Sequence, residues 1–207
     1  MKIVRLMADY SPENPATAFD GQWSIYSFNS RHASYADPEK FFPDGKPAIG
    51  LRRKLAVGTA FLLDYFEHGN CVWSIAGTGP QCQWDNSRNA GLLVWEHPVK
   101  EMGAKTRADR EKDAAAFLET YTCWCNGEVY GYEVLEIATL PCGHTETRPI
   151  DDASCWGYFG NDLDYMAECV REHVQGDSVQ FEGDAADLSE FYDFVGKRPV
   201  EGEEVRG

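Results

Sequence analysis

Short stretches rich in aromatic and β-branched side chains alternate along this chain with stretches whose apolar positions recur at helical spacing. Stretches of the first kind are typical of strands that bury one or both faces. The pattern predicts strands at residues 2–8, 23–29, 71–77, 92–97, 128–137 and 150–159. Segments rich in proline, glycine and polar residues, most clearly 34–50 and 78–91, are predicted to be loops.

Three amphipathic helices are predicted from apolar residues that recur every three or four positions. The first begins at Leu51, continues through Phe66 and stops at Gly69, a typical C-terminal cap. The second covers about 106–124 and starts with a partial capping box. The third covers 161–174 and has the most regular apolar stripe of the three.

These elements predict an α+β fold. We expect one domain over residues 1–175, in which a mixed or antiparallel sheet has about three helices packed on it. After Gly176 the composition becomes more acidic. Residues 176–207 are therefore predicted to be an appendage, an acidic tail that contains one short amphipathic helix and frays at its end.

The composition indicates a cytoplasmic protein. The first residues have too short an apolar core for a signal peptide, and no apolar run approaches the roughly 18 to 20 residues of a membrane span. The seven cysteines are an odd number spread through the chain, which fits reduced thiols better than a disulfide framework.

The net charge of −15 is concentrated towards the carboxyl end. Residues 126–175 contain ten acidic and two basic side chains, and residues 176–207 contain nine and three, so together they hold −14. Such a field repels nucleic acid and anionic membranes and attracts basic partners. An acidic surface that serves only solubility is the alternative explanation.

Acidic side chains on the last two predicted helices are the candidates for contact with a basic partner. Spaced carboxylates can imitate phosphates, steer association and occupy a groove. The candidate residues are Asp162, Asp164, Glu168, Glu172, Asp184, Asp187, Glu190 and Asp193.

Cys155 lies in the stretch "SCWGYFG", where a strand is predicted to turn into a helix. A nucleophilic cysteine would need a nearby histidine and a lowered thiol pKa. Asp162 and Asp164 place negative charge at the start of that helix, which raises a thiol pKa and also opposes a phosphate site. We therefore interpret Cys155 as a small, buried strand residue.

A structural zinc site is a further alternative. Cys123, Cys125, Cys142 and His144 form a C-x-C pair and a C-x-H pair, and all four are permitted zinc ligands. Standard pairs have two to four residues between the ligands. Residues two apart on a helix point about 200° apart, so Cys123 and Cys125 converge only where the helix has already ended.

The polar loop 78–91 is a candidate binding surface. Trp84 is the tryptophan most expected at the surface, and Arg88 lies close to it in sequence. An exposed tryptophan beside an arginine would be a recognition anchor. A pocket between the sheet and this loop would instead suit an enzyme or a small-ligand-binding protein.

The stretches "NGEVYGYEV" (126–134) and "DDASCWGYFG" (151–160) resemble recurring motifs in a family of uncharacterised tailed-bacteriophage proteins, "GEVYGY" and "DSCWGFYG". Ala153 stands in the place of the family's aspartate, and Tyr158 and Phe159 reverse its aromatic order. The resemblance covers about 35 residues. It implies a phage or prophage gene that acts in a bacterial cytoplasm, and it implies no particular reaction.

The leading hypothesis is a non-enzymatic phage accessory protein. Its acidic surface would bind a basic host protein, such as a nucleic-acid-binding enzyme, and inhibit it by nucleic-acid mimicry. It is expected to bind neither nucleic acid nor a membrane directly, and to need no cofactor. The alternatives are a small-ligand-binding protein or enzyme with a pocket near 78–91, and a structural zinc domain.

Overall fold

The structure, a computed structural model, describes residues 1–18 and 23–183 of the 207-residue chain. Within them the fold is α+β, as the pattern predicts. The strands are β1 (Lys2–Ala8), β2 (Trp23–Ser27), β3 (Ala60–His68), β4 (Asn70–Ile75), β5 (Asn86–Trp95), β6 (Val129–Thr139), β7 (Thr145–Phe159) and β8 (Val179–Gly183). The α-helices are α1 (Pro15–Ala18), α2 (Ile49–Val57), α3 (Arg107–Asn126) and α4 (Leu163–Val174). Single 3₁₀ turns lie at Pro38–Lys40, Pro43–Gly45, Val99–Glu101 and Gly160–Asp162.

The chain divides into two compact units, where the sequence led us to expect one domain over 1–175. The split unit contains residues 1–12 and the chain from 127 onwards, and the inserted unit contains residues 13–126. Each unit has its own four-stranded sheet. In the described residues no helix is long and apolar enough to cross a bilayer.

The split unit has a mixed sheet in the order β7-β6-β1-β8, in which β8 is parallel to β1 and the other pairs are antiparallel. On β1, Val4 pairs with Val134 on one side and Phe181 on the other. These side chains form a core with the apolar stripe of α4. That stripe consists of Met166, Ala167, Val170 and Val174, all buried.

The segment after Gly176 begins as part of this sheet. Strand β8 runs beside β1, and Phe181 is buried in the core, although we expected the acidic appendage to start at 176. Lys2, on β1, contacts the segment between α4 and β8, because its Nζ lies 2.8 Å from a carboxylate oxygen of Asp177. The predicted amphipathic helix of the tail lies at 184 and beyond, outside the described residues.

The inserted unit has an antiparallel sheet in the order β2-β5-β3-β4, and both of its faces are buried. Alternation along β5 shows why. Leu93 and Trp95 pack towards the α3 side, whereas Leu92 and Val94 pack with Leu51 of α2 on the other side. A sheet covered on both faces needs apolar residues at consecutive strand positions, and 92–95 supplies them.

The prediction of one helix from Leu51 to Phe66 is wrong. Helix α2 ends at Val57, Gly58 caps it with a left-handed φ of 76°, and β3 follows. The apolar residues of 60–66 fit a helical repeat and also fit a strand that is buried on both faces. Gly58 decides between these readings, because only glycine adopts that backbone conformation at low cost.

Candidate functional site

Asp64, on β3, is the one acidic residue that is buried in the described part of the chain. Its two carboxylate oxygens each accept a backbone N–H at 2.9 Å, one from Gly77 and one from Asn89. Burial of a charge is tolerated when hydrogen bonds replace its water. The carboxylate is therefore used in fixing the turn at Gly77 and the backbone of β5 at Asn89, and it has a structural role rather than a catalytic one.

The acidic helix face consists of Asp162, Asp164, Glu168 and Glu172, at and after the start of α4. All four are exposed. Asp164, Glu168 and Glu172 are spaced four residues apart, so they form one row with about 6 Å of helix rise between neighbours. The opposite side of α4 is the buried apolar stripe, which fixes this row towards solvent.

The four carboxylates of the acidic helix face make no ion pair and no side-chain hydrogen bond with any residue that the structure describes. Of the lysines and arginines that the structure describes in the split unit, Lys2, Arg5 and Arg148 contact carboxylates, whereas Arg171, on α4 itself, is exposed and makes no ion pair. Lys2 pairs with Asp177, and Arg5 lies 3.5 Å from both Glu133 and Glu182. Partial desolvation and the neighbouring charge of Asp164 raise the pKa of Asp162. The face is a region of uncompensated negative charge.

An exposed aromatic side chain lies within this row. Tyr165 follows Asp164 directly and is 56% exposed, with its ring 6.0 Å from that of Tyr158. Sequence analysis missed it as a contact residue. The sequence does indicate its exposure, because position 165 lies outside the apolar stripe of an otherwise regular amphipathic helix. Tyrosine among charges is a frequent anchor in protein interfaces.

The other proposed contact residues fall into two groups. Trp84 is 86% exposed in the loop before β5, and Arg88 is exposed on β5 itself, in the inserted unit. The loop 78–91 is shorter than we expected, because β5 begins at Asn86. Four candidates lie outside the described residues. They are Asp184, Asp187, Glu190 and Asp193.

Cys155 lies on β7 as predicted, but its side chain is exposed rather than buried. Strand β7 lies at the edge of its sheet, so a neighbouring strand borders it on one side only. The neighbouring Trp156 is also 45% exposed, and its ring packs where a Cβ on Gly131 would stand. A side chain at position 131 would overlap the indole of Trp156 on the neighbouring strand, so glycine is needed there.

The predicted zinc quartet is not supported. Helix α3 continues to Asn126, so Cys123 and Cys125 point in different directions, the first buried and the second exposed. Cys142 and His144 lie in the turn between β6 and β7, with Sγ and Nδ1 3.4 Å apart. Among the described residues no group of three or more histidine, cysteine or acidic side chains is placed to hold a metal ion.

The inserted unit contains a cavity of about 290 Å³, here called the aromatic pocket. Five ring side chains line it, from a loop, the β3–β4 hairpin and helix α3. They are His32, Tyr65, Trp73, Tyr121 and Trp124. The loop 78–91 contributes none of the lining residues, so the pocket lies away from the place where the sequence suggested one.

The rings of the aromatic pocket are arranged in two contacting groups. His32 meets Tyr65 at 4.8 Å and Trp73 at 5.6 Å, both edge to face, and Tyr65 lies 4.7 Å from Trp73. On the helix side, Tyr121 and Trp124 are 5.6 Å apart. Ser27 holds His32 in place through a 2.8 Å hydrogen bond between Oγ and Nδ1.

Helix α3 supports the free edge of β4 beside the pocket. The Asn126 side chain accepts the backbone N–H of Cys71 at 2.9 Å and donates to its carbonyl at 3.0 Å. One turn earlier, Thr122 Oγ1 accepts the backbone N–H of Trp73 at 3.1 Å. These bonds satisfy the edge of the sheet and hold the pocket walls at a fixed separation.

Two thiols lie together at the pocket. A hydrogen bond from the Cys125 thiol lowers the pKa of Cys71, and the same interaction raises the pKa of Cys125. Burial raises the pKa of Tyr65, and it raises the pKa of Tyr121 to about 12, so both phenols keep their protons near neutral pH. Cys71 is therefore the thiol of this pair that ionises first.

A second cavity of the inserted unit, of about 520 Å³, has the opposite chemistry. Arg53, Lys54, Arg110 and His97 line it. Most of these groups already have partners. Lys54 Nζ contacts Glu96 and the carbonyl of Trp95, and Arg110 donates to three backbone carbonyls near the end of α2 and the start of α3. The charges of Lys54 and His97 are thus paired with Glu96 and Glu101, whereas Arg53 makes no ion pair among the described residues.

Comparison of the chain with protein-family models, with curated proteins and with solved structures finds no match. The functional argument therefore rests on the acidic helix face and the aromatic pocket themselves.

Proposed function

We propose that this protein is a non-enzymatic bacteriophage accessory protein that binds a basic host protein through the acidic helix face. The observation that carries the proposal is that Asp162, Asp164, Glu168 and Glu172 are exposed and unpaired within the described chain, and that Arg171 is the one basic side chain of α4 apart from His173. Uncompensated charge of one sign raises the association rate with a surface of the opposite sign.

The charge density of the face bears on the mode of binding. Helix α4 has 12 residues, which corresponds to about 18 Å, and four carboxylates lie at and along it. Duplex DNA has one charge per roughly 1.7 Å of axis, so the helix alone is several times sparser. We propose that the helix steers and orients the partner, with Tyr165 as an apolar anchor, and that mimicry of nucleic acid needs the acidic residues beyond 183 as well.

The test compares two variants with equal net charge. One replaces the row on α4 (Asp164→Asn, Glu168→Gln, Glu172→Gln), and the other replaces three exposed acids of the inserted unit (Glu13→Gln, Glu39→Gln, Glu119→Gln). Both are used to capture basic proteins from a bacterial host lysate at low salt. The proposal expects the first variant to lose the captured protein and the second to retain it. Equal retention by both, or equal loss, would count against it.

A small-ligand-binding protein is the second candidate function, and the aromatic pocket is the observation that favours it. The pocket combines aromatic walls, fixed by hydrogen bonds between α3 and β4, with a few polar groups. The two functions are compatible in one chain, because the acidic helix face and the pocket belong to different units.

A further inference from the structure

We propose that the aromatic pocket of the inserted unit binds a small organic cation, an ammonium group carried on a compact apolar body. The proposal is independent of the acidic helix face, because every residue that lines the pocket lies within 32–126. Four features of the pocket support it. They are the aromatic walls, the sign of the charge at the lining, the few free hydrogen-bonding groups and the volume of the cavity.

The walls are built from aromatic rings, whose π-faces attract cations. His32, Tyr65 and Trp73 form one contacting cluster, and Tyr121 and Trp124 form the other. An aromatic ring carries negative charge on its face, and a cation within about 6 Å of the centroid is attracted to it. Recognition of quaternary ammonium groups by several rings together follows from this electrostatic preference.

The charge at the pocket has the matching sign. Glu67 is an exposed carboxylate of the lining, and none of the lining residues within the described chain is a lysine or an arginine. An anionic ligand would meet a carboxylate without a compensating cation, which disfavours phosphates and carboxylic acids.

Neutral polar ligands are disfavoured because the polar groups of the lining are already used. The Asn126 amide is bonded at both ends to the backbone of Cys71. Nδ1 of His32 is hydrogen-bonded to Oγ of Ser27. A sugar or a polyol would have to give up its hydrogen bonds to water without adequate replacement, whereas an ammonium with methyl groups needs few.

The size of the cavity selects small molecules. Its volume of about 290 Å³ lies at the lower end of the range of ligand pockets. A trimethylammonium group with a short chain fits this volume, and a folded peptide does not.

The experiment titrates choline into the full-length protein and compares it with the neutral carbon isostere, in which a tert-butyl group replaces the trimethylammonium group. Binding is followed by isothermal titration calorimetry, and by broadening of the ligand's proton signals. We expect choline to bind at least about tenfold more tightly than the isostere, which corresponds to about 1.4 kcal/mol. Equal affinity of the two, or no binding of choline at millimolar concentration, overturns the proposal.

Variants locate the site. Trp124→Leu removes one wall and is expected to weaken choline binding about tenfold, and Glu67→Gln removes the carboxylate and is expected to weaken it a few-fold. Trp84→Leu is the matched control, because it removes an exposed indole outside the pocket and is expected to change nothing. Unchanged binding in both pocket variants, with their circular dichroism spectra unchanged, would contradict the assignment.

Discussion

The split unit and the inserted unit use acidic side chains in opposite ways. Residues 126–207 hold −14 of the net charge of −15, and on α4 the carboxylates face solvent and have no ion pair within residues 1–18 and 23–183. The inserted unit is close to neutral, and its Asp64 is buried with both oxygens bonded to backbone N–H groups. A carboxylate is thus accessible to a partner where its neighbours leave it free, and it has a structural role where the backbone surrounds it. Charge counts along a sequence do not distinguish the two.

The largest expected effect concerns the end of the split unit. Phe181→Ala removes a buried ring from β8 and should lower the free energy of unfolding by about 3 kcal/mol, as deletions of core phenylalanines do. Chemical denaturation measures it. If the stability of the variant equals that of the wild type, then 176–183 is an appendage after all and not part of the core.

The second effect tests the buried carboxylate. Asp64→Asn offers one acceptor oxygen where two N–H groups need one each, so we expect a loss of about 2 kcal/mol in the free energy of unfolding. Glu168→Gln is the matched change on the acidic helix face, and it should leave stability essentially unchanged. Comparable losses in both variants would remove the distinction between the two units.

The third effect concerns the residue that ends α2. Gly58→Ala places a Cβ at a left-handed φ, 3.0 Å from Cγ of Arg107, and should cost about 1 to 2 kcal/mol of unfolding free energy. Gly50→Ala is the control, because a Cβ there meets open space within the same helix and is expected to stabilise by up to about 1 kcal/mol. Thermal melts of the two variants should therefore shift in opposite directions.

The smallest effect is on the thiol pair of the aromatic pocket. Cys125→Ala removes the hydrogen bond that lowers the pKa of Cys71, so that pKa should rise and less thiolate should be present near neutral pH. Alkylation of Cys71 by iodoacetamide, followed by peptide mass spectrometry, should slow several-fold. The control Cys155→Ala should leave the rate unchanged. An alkylation rate that increases in Cys125→Ala would show that this hydrogen bond does not stabilise the thiolate.

The sequence predicted correctly those helices and strands whose hydrophobic pattern fits only one type of secondary structure. The buried residues of α4, from Met166 to Val174, all follow the helical spacing. The predicted bounds of β1, residues 2–8, agree with the structure. The prediction for residues 51–66 is wrong because the apolar residues there fit both a helical repeat and a strand buried on both faces. Gly58, which ends α2, is the residue that distinguishes the two.

The candidate site could be predicted from sequence only where its residues lie close together along the chain. The acidic helix face follows from one helix and its period, so Asp164, Glu168 and Glu172 could be named from sequence. The aromatic pocket could not, because its walls come from three segments that only the topology of the inserted unit brings together. The role of Asp64 also depends on contacts with a turn 13 residues away and with a strand position 25 residues away.

The most direct test of the account is the salt dependence of the interaction that we propose for the acidic helix face. The captured host protein is titrated against wild type, the α4 charge variant and the inserted-unit charge variant over a series of salt concentrations. The account predicts a steep loss of affinity with salt for wild type and for the inserted-unit variant, and a weak, shallow dependence for the α4 variant. The same steep dependence in all three proteins would contradict it.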